Sequence, residues 1–293
     1  MARLESVDGL RGSAQRTIDR AARTFSLASR LLPAEVRNDV NLLYLVARTL
    51  DDAVDEGLPG AHSRLDAIEH WAVGGAVLTQ EAAVLDGLAA RHPSLPRSAV
   101  LDFCDAQRMD LRGARFGTEL ELDGYCYGVA GTIGLLLASI LGAECPDAAT
   151  AARAMGIGMQ RTNILRDIDE DLARGRVYLP DETLALAGVD DLAEDDRALL
   201  LRIEAAIADW WYERGMAGVS LLPRGQLAVR SAAEMYRAIL TQLGRDGWGR
   251  RRPWRSRLSR RRRLLIVFRA ILTPRQPVAE PPRPARHLGR NPA

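Results

Sequence analysis

Residues 33–57 read PAEVRNDVNLLYLVARTLDDAVDEG, and their apolar positions predict one long helix. Apolar side chains recur there at spacings of three and four residues, which places them on one helical face. They are Val36, Val40, Leu43, Ala47, Leu50 and Val54. Gly57 and Pro59 then supply a helix stop. The stretch therefore predicts a helix with one face buried in a core.

The rest of the chain follows the same pattern. Ala and Leu dominate the interior, and no sustained alternation of period two predicts a strand. A second long helix is predicted at about 148–174, and others near 13–30, 62–90, 97–113, 124–142, 195–221 and 225–244. The fold class is therefore all-α. We expect one domain over 1–272, with a basic C-terminal segment at 245–272, followed by a disordered Pro/Arg-rich tail at 273–293.

The composition is typical of a globular protein and excludes several classes. The chain has 293 residues, of which 47% are hydrophobic and 27% are charged. These values exclude a fibrous repeat, a disulfide miniprotein and a wholly disordered chain. The three cysteines form no CxxC pair, so we expect a reducing, cytoplasmic environment. Residues 124–143 carry no charge over a membrane-spanning length, but their five glycines favour a buried helix that lines an apolar cavity.

Charge is distributed unevenly along the chain. All 40 basic residues are Arg, and fifteen of them lie in 245–293 beside two acidic residues, whereas 1–244 has a net charge of −11. The basic end is expected to meet an anion, which is a substrate diphosphate, a membrane surface or nucleic acid. The acidic body would repel nucleic acid, so no nucleic-acid partner is expected. The apolar run at 264–268 favours peripheral contact with the inner face of a membrane.

Two acidic motifs carry the candidate chemistry. In the first, Asp51 and Asp55 are four residues apart and share a helical face with Tyr44 and Arg48. In the second, helical spacing stacks four polar residues in a column: Gln160, Asn163, Asp167 and Asp171. A solvated acidic helix face explains either motif alone. Taken together they favour a metal site, because carboxylate and amide oxygens suit Mg²⁺, with Mn²⁺ as an alternative.

Four blocks, in order, resemble the squalene/phytoene synthase family of head-to-head prenyl synthases. They are Arg23-Thr-Phe25-Ser-Leu-Ala-Ser-Arg30-Leu-Leu-Pro33, Asp51-Asp-Ala-Val-Asp55-Glu56, Tyr125-Cys-Tyr-Gly-Val-Ala-Gly-Thr-Ile-Gly134, and Asn163-Ile-Leu-Arg166-Asp167 to Asp171 followed by Gly175-Arg-Val-Tyr178-Leu-Pro180. The resemblance implies an isoprenoid-synthase helical bundle around a central apolar cavity. It also implies Mg²⁺ bound by two sets of residues: Asp51 and Asp55 on one side, and Asn163, Asp167 and Asp171 on the other.

The remaining site residues are carried over from the same resemblance. Arg48 and Arg166 match arginines near the diphosphates, and Tyr44 and Tyr125 match tyrosines that line the site. Gln160 matches a residue beside the second metal column. Thr24 supplies a hydroxyl for a diphosphate, and Tyr236 matches a tyrosine that precedes a basic stretch.

The sequence also departs from the family pattern at two places. Ala22 and Thr24 stand where many relatives carry two serines, so one hydroxyl remains to meet a diphosphate. Arg161 stands where relatives usually place an aliphatic residue, and this extra cation is expected to contact a phosphate or to face solvent. Both departures lie in motifs that would contact the substrate, so they bear on which prenyl diphosphate is used and on whether the reaction described below goes beyond its first half.

The resemblance implies a prenyltransferase that joins two allylic diphosphates, geranylgeranyl or farnesyl, through a cyclopropylcarbinyl diphosphate. The product would be phytoene, dehydrosqualene or presqualene diphosphate, and NADPH is not expected to be required. A terpene cyclase that ionises a single diphosphate is the alternative enzyme, since both reactions begin with the same metal-assisted ionisation. A membrane- or partner-binding protein with a degenerate site is the non-enzymatic alternative.

Overall fold

The computed structural model describes residues 23–249 and 255–272, and this part of the chain contains helices and no strands. The helices are α1 (Arg23–Ser29), α2 (Ala34–Asp55), α3 (Ala61–Ala72), α4 (Gln80–Arg91), α5 (Arg97–Leu111), α6 (Glu119–Cys126), α7 (Thr132–Ile140), α8 (Pro146–Ala173), α9 (Asp181–Ala187), α10 (Ala198–Ala217), α11 (Gln226–Arg245) and α12 (Arg260–Leu272). The all-α prediction is confirmed. The tail predicted at 273–293 and the first part of the helix predicted at 13–30 lie outside the described residues.

Local signals set the ends of the two longest helices. Pro33 precedes α2, and Pro146 occupies the first turn of α8, where its missing N–H costs no hydrogen bond. Gly175, just beyond α8, has a φ of +73°, in the left-handed region that glycine tolerates. These two helices therefore span almost the ranges that the sequence predicts.

The single helix predicted over 62–90 is wrong. The chain forms α3 and α4 instead, separated by a loop that contains Gly74 at a φ of +96°. The Thr79 side chain accepts a hydrogen bond from the Ala82 N–H, which caps the start of α4. The apolar spacing continues across this break, so periodicity alone does not detect it.

The uncharged stretch at 124–143 forms the end of α6, a π-helical turn at Tyr127–Gly131, and α7. Added Cβ atoms at Gly134 and Gly156 would collide with backbone atoms of the facing helical segment, at Ala152 and Ala130 respectively. The small residues therefore allow this segment and α8 to approach closely. In the described part of the chain, no helix is both long and apolar enough to cross a membrane.

Two large apolar clusters surround the centre of the molecule. One joins α2, α3, α4, α5 and α7, and the other joins α6, α8, α10 and α11, with α9 packed against it. The helices α2 and α8, which contain the two acidic motifs, belong to different clusters and contribute side chains to the same central cavity. The fold thus brings together two motifs that are more than a hundred residues apart in sequence.

Candidate active site

A cavity of about 720 Å³ lies between the two clusters. Its apolar walls come from several helices and include Phe103, Val129, Ile133, Leu137 and Met155. All twelve sequence-predicted site residues line this one cavity: Thr24, Tyr44, Arg48, Asp51, Asp55, Tyr125, Gln160, Asn163, Arg166, Asp167, Asp171 and Tyr236. The cavity therefore combines an apolar interior with a concentration of carboxylates and guanidinium groups.

The α2 side of the cavity carries the first acidic motif. Arg48 donates from Nη1 to Asp51 Oδ2 at 3.2 Å and also pairs with Asp52. Burial, reinforced by the neighbouring charge of Asp55, raises the pKa of Asp51 to about 7. Tyr44 stacks on Phe25 with ring centroids 4.8 Å apart. The α2 face thus presents carboxylates, a guanidinium and an aromatic ring to one volume.

The α8 side carries the second motif. Arg166 donates to both oxygens of Asp167, at 2.7 and 2.6 Å. Burial, together with the charges of Asp167 and of Asp55 on α2, raises the pKa of Asp171 to about 7. Asp55 and Asp171 line the same cavity, so the acidic columns of α2 and α8 lie close enough for the charge of Asp55 to act on Asp171.

Three further arginines at this site were missed by the sequence reasoning. Arg176 pairs with Asp55, and Arg174 lies 3.8 Å from the same carboxylate. Arg255 forms an ion pair with Asp167, with Nε 3.1 Å from Oδ1, and also pairs with Glu170. Arg255 belongs to the basic segment predicted to meet an anion. Arg176 lies within the fourth block that resembles the family, and its place in this block is the sequence signal that could have identified it.

A second missed group surrounds Tyr125. Asp110 on α5 accepts hydrogen bonds from the Tyr125 hydroxyl at 2.8 Å and from the Tyr178 hydroxyl at 2.9 Å. Asp110 and both tyrosines line the cavity, and the two rings stack with centroids 5.3 Å apart. Tyr127, by contrast, donates its hydroxyl to Asp102 and is not among the described residues that line the cavity. No local pattern around Asp110 points to this role.

The expectation for Arg161 is wrong. Its side chain is 1% exposed and lies in a buried ion cluster. It pairs at 2.7–2.8 Å with three carboxylates: Glu119, Asp123 and Glu204. The guanidinium contacts neither solvent nor the cavity, because side-chain oxygens from α6 and α10 surround it and bind it inside.

The donor chemistry at the cavity mouth suits a hard divalent cation. The Oδ1 atom of Asn163 is buried and has no hydrogen-bond partner among the described residues, while Nδ2 donates to Gln160 Oε1 at 3.2 Å. A buried amide oxygen without a partner is costly unless something binds it. Among the described residues, no three carboxylate, imidazole or thiol groups are gathered around one point. Mg²⁺ requires few protein ligands, because it retains waters and binds substrate phosphates.

Comparisons with known proteins agree with this geometry. The family model for squalene/phytoene synthase matches residues 18–262. A phytoene synthase from Thermus thermophilus is 37% identical over 276 residues, which cover 89% of this chain and 91% of that protein. A 15-cis-phytoene synthase from Pantoea ananas is 33% identical, with 92% and 94% covered.

Solved structures share the fold. A dehydrosqualene synthase in complex with a ligand superposes with a TM-score of 0.81 at 24% identity, covering 91% of this chain and 96% of that one. Squalene synthase HpnC from Alicyclobacillus acidocaldarius gives a TM-score of 0.72 at 27% identity, with 83% and 95% covered. The fold is therefore the isoprenoid-synthase bundle that the motifs imply. With the family model matched over most of the chain and the acidic motifs gathered in one cavity, the chain belongs to the squalene/phytoene synthase family and is a prenyltransferase.

Proposed function

We propose that this protein condenses two allylic prenyl diphosphates, farnesyl or geranylgeranyl, in a Mg²⁺-dependent reaction that passes through a cyclopropylcarbinyl diphosphate. Head-to-head condensation is the reaction of the family to which the chain belongs. The observation that supports this specific reaction is that all twelve predicted site residues line one cavity. A terpene cyclase is not favoured, because the curated relatives reported above are phytoene synthases.

The residues that would hold Mg²⁺ are Asp51 and Asp55 on α2, and Asn163, Asp167 and Asp171 on α8. When bound, the ion would neutralise the diphosphate and stabilise it as a leaving group. The partnerless Oδ1 atom of Asn163 and the raised pKa values of Asp51 and Asp171 support this assignment, because they mark buried oxygen atoms that the neighbouring protein groups do not fully compensate.

The arginines would bind the diphosphate oxygens. Arg48, Arg166 and Arg176 each pair with a carboxylate and line the cavity. A planar guanidinium binds phosphate oxygens bidentately, so these side chains can exchange a carboxylate for a diphosphate without a change of fold. They would orient the allylic C–O bond toward the apolar interior.

The apolar walls would hold the two hydrocarbon chains and exclude water from the carbocations. In the first half-reaction one C–O bond breaks and releases diphosphate, the double bond of the second molecule attacks the allylic cation, and loss of a proton closes the cyclopropane ring. In the second, the remaining diphosphate leaves and the cation rearranges. The faces of Tyr44 and Phe25 can stabilise positive charge as it develops.

We propose that the second cation loses a proton, giving phytoene or dehydrosqualene without NADPH, or that the reaction stops at presqualene diphosphate.

A second part of the proposal concerns where the enzyme is located in the cell. Substrates and products with long apolar chains favour a cytoplasmic enzyme in peripheral contact with the inner face of a membrane through its basic C-terminal segment.

The test is incubation of the purified protein with Mg²⁺ and either farnesyl or geranylgeranyl diphosphate, with and without NADPH. Organic extracts are analysed by chromatography with mass detection, and a phosphatase-treated aliquot reveals any cyclopropylcarbinyl diphosphate. A product with twice the carbon count of the substrate supports the proposal and identifies the chain length. A hydrocarbon or alcohol with the carbon count of the substrate itself would overturn it in favour of a cyclase.

A further inference from the structure

The outer face of α12 is apolar. Five large apolar side chains on this helix are each 47–64% exposed: Leu264, Leu265, Phe268, Ile271 and Leu272. Their spacing places them on one helical face. The inner face packs on α1 and α11 through Val267, which is buried together with Met235 and Ile239. Single exposed apolar residues are ordinary, but a continuous stripe on one helix indicates a partner.

A basic cleft runs along one side of this apolar stripe. It has a volume of about 460 Å³ and lies between α11 and α12. Its lining residues are Glu234, Ala238, Arg245, Arg262, Leu265, Ile266 and Arg269. Three guanidinium groups therefore outnumber one carboxylate. Burial, and then the charge of Arg245, lower the pKa of Arg262, so positive groups converge on the cleft.

We propose that α12 and this cleft bind the surface of an anionic phospholipid bilayer. The lipid phosphate would lie between Arg245 and Arg262, where it relieves the repulsion between them. Leu265 belongs both to the cleft and to the stripe, so a headgroup in the cleft places its acyl chains beside the apolar stripe. Exposed Arg260 and Arg261 add positive charge at the start of the helix.

Charge favours a lipid surface over a second copy of this chain. If two copies packed stripe against stripe, the arginines that flank one stripe would face those that flank the other, and like charges would repel. An anionic bilayer supplies both features that the surface requires, which are negative charge at the headgroups and an apolar layer directly below.

The position of the surface relates it to the cavity. Residues 255–258, which precede α12, line the cavity together with Arg263 of α12 itself. A bilayer bound at the stripe would therefore lie beside one wall of the active site. This relation rests on the proposed function, since long apolar substrates and products are its reason, whereas lipid binding itself is measured without any substrate.

The experiment is co-sedimentation of the full chain with vesicles of phosphatidylcholine alone or mixed with phosphatidylglycerol. Two double variants probe the surface: Leu265→Gln with Phe268→Gln in the stripe, and Arg245→Gln with Arg262→Gln in the cleft. Matched controls carry the same changes at exposed sites elsewhere: Val73→Gln with Leu186→Gln, and Arg112→Gln with Arg115→Gln. Circular dichroism checks the fold, and prenyl diphosphate turnover in detergent is measured separately.

We expect the parent protein to bind phosphatidylglycerol vesicles at least about tenfold more tightly than phosphatidylcholine vesicles, and the preference to weaken with salt. Each surface variant should bind about tenfold more weakly while turnover in detergent is retained, and both controls should match the parent. Equal binding to both vesicle types, or surface variants that bind like the parent, would overturn the proposal. So would a parent dimer that the stripe variant converts to a monomer, since a second copy would then cover the stripe.

Discussion

The carboxylates of Asp51 and Asp167 lie on α2 and α8, and each is paired with an arginine. We predict that Asp51→Asn and Asp167→Asn each lower kcat/KM by on the order of a hundredfold or more, because the amide keeps the volume but loses the charge that would hold Mg²⁺. The measurement is product formation from a prenyl diphosphate. Asp105→Asn, on the exposed side of α5, is the matched control and should behave like the parent. Near-normal turnover in both site variants would contradict the metal assignment.

Tyr125 and Tyr127 are close in sequence but differ in their surroundings. The Tyr125 hydroxyl donates to Asp110 in the cavity wall, whereas the Tyr127 hydroxyl donates to Asp102 away from it. We predict that Tyr125→Phe lowers kcat about tenfold, because Asp110 loses one of its two tyrosine donors and the ring loses its anchor. Tyr127→Phe should change kcat less than twofold. Steady-state kinetics on both variants checks the pair, and equal effects would refute the distinction.

The sequence predicts which site residues lie together on one helix better than it predicts which residues from different helices meet at the site. Asp51 and Asp55 are four residues apart, and this spacing alone places them on a common face of any α-helix. Asp110 and Arg255 reach the site from other parts of the chain, and their position depends on tertiary packing. Arg161 shows the same limit, because the three carboxylates that surround it come from α6 and α10.

Among the helices, the crossing of α7 and α8 depends on small residues. A Cβ atom at Gly134 would meet the backbone carbonyl of Ala152, so Gly134→Ala should lower the free energy of unfolding by about 1–3 kcal/mol. At Gly124, inside α6, no described neighbour lies within 4 Å of the added atom. Gly124→Ala should therefore raise the free energy of unfolding by about 0.5–1 kcal/mol, through the higher helix propensity of Ala. Urea denaturation compares the two, and effects of the same sign would contradict close packing as the role of Gly134.

The ion cluster between α6, α8 and α10 predicts a pH-dependent stability. Burial and the nearby Glu119 raise the pKa of Glu204 to about 8, despite its pairing with Arg161. The folded protein therefore holds a proton that the unfolded chain releases above its ordinary pKa of 4.5. The contribution of this group to stability is complete below about pH 4.5 and is lost as the pH rises toward 8.

Glu204→Gln should remove this contribution. Its free energy of unfolding should decline less between pH 5 and about 8 than that of the parent, as measured by urea denaturation across the range. Glu194→Gln, an exposed change, controls for loss of a carboxylate in general and should keep the parent slope. If Glu204→Gln also keeps that slope, the proton is not held at Glu204.

The helices themselves show which sequence signals are sufficient. α2 and α8 combine a long apolar period with a proline start and a glycine stop, and the predicted ranges agree with the structure to within two residues. The helix predicted over 62–90 fails because its apolar spacing continues through Gly74, where the backbone leaves the helix. Backbone conformation at one glycine therefore outweighs a periodicity that extends over several turns.

For the whole molecule, the sequence predicts an all-α fold and one cavity shared by both acidic motifs. It does not predict which helices pack in which of the two apolar clusters, because cluster membership depends on side-chain packing between segments that are distant in sequence. The charges at the cavity mouth show the same dependence on tertiary structure. Three arginines, Arg48, Arg166 and Arg176, each form an ion pair with a carboxylate that is predicted to bind Mg²⁺. Each pair therefore joins a side chain proposed to bind diphosphate to one proposed to bind the metal.

This pairing predicts that Mg²⁺ and diphosphate bind cooperatively. Diphosphate alone must separate arginines from carboxylates and leave negative charge uncompensated in a buried site, while Mg²⁺ alone leaves the arginines without partners. When Mg²⁺ and diphosphate bind together, the carboxylates have the metal as a partner and the arginines have the diphosphate. We predict that inorganic diphosphate with Mg²⁺, at about a hundred times the dissociation constant, raises Tm by about 5 °C, and that the two added separately give less than half of that shift in sum. Thermal unfolding with and without a chelator measures this, and Asn163→Ala should reduce the combined shift. Strictly additive shifts would mean that the arginines and the carboxylates bind their ligands independently.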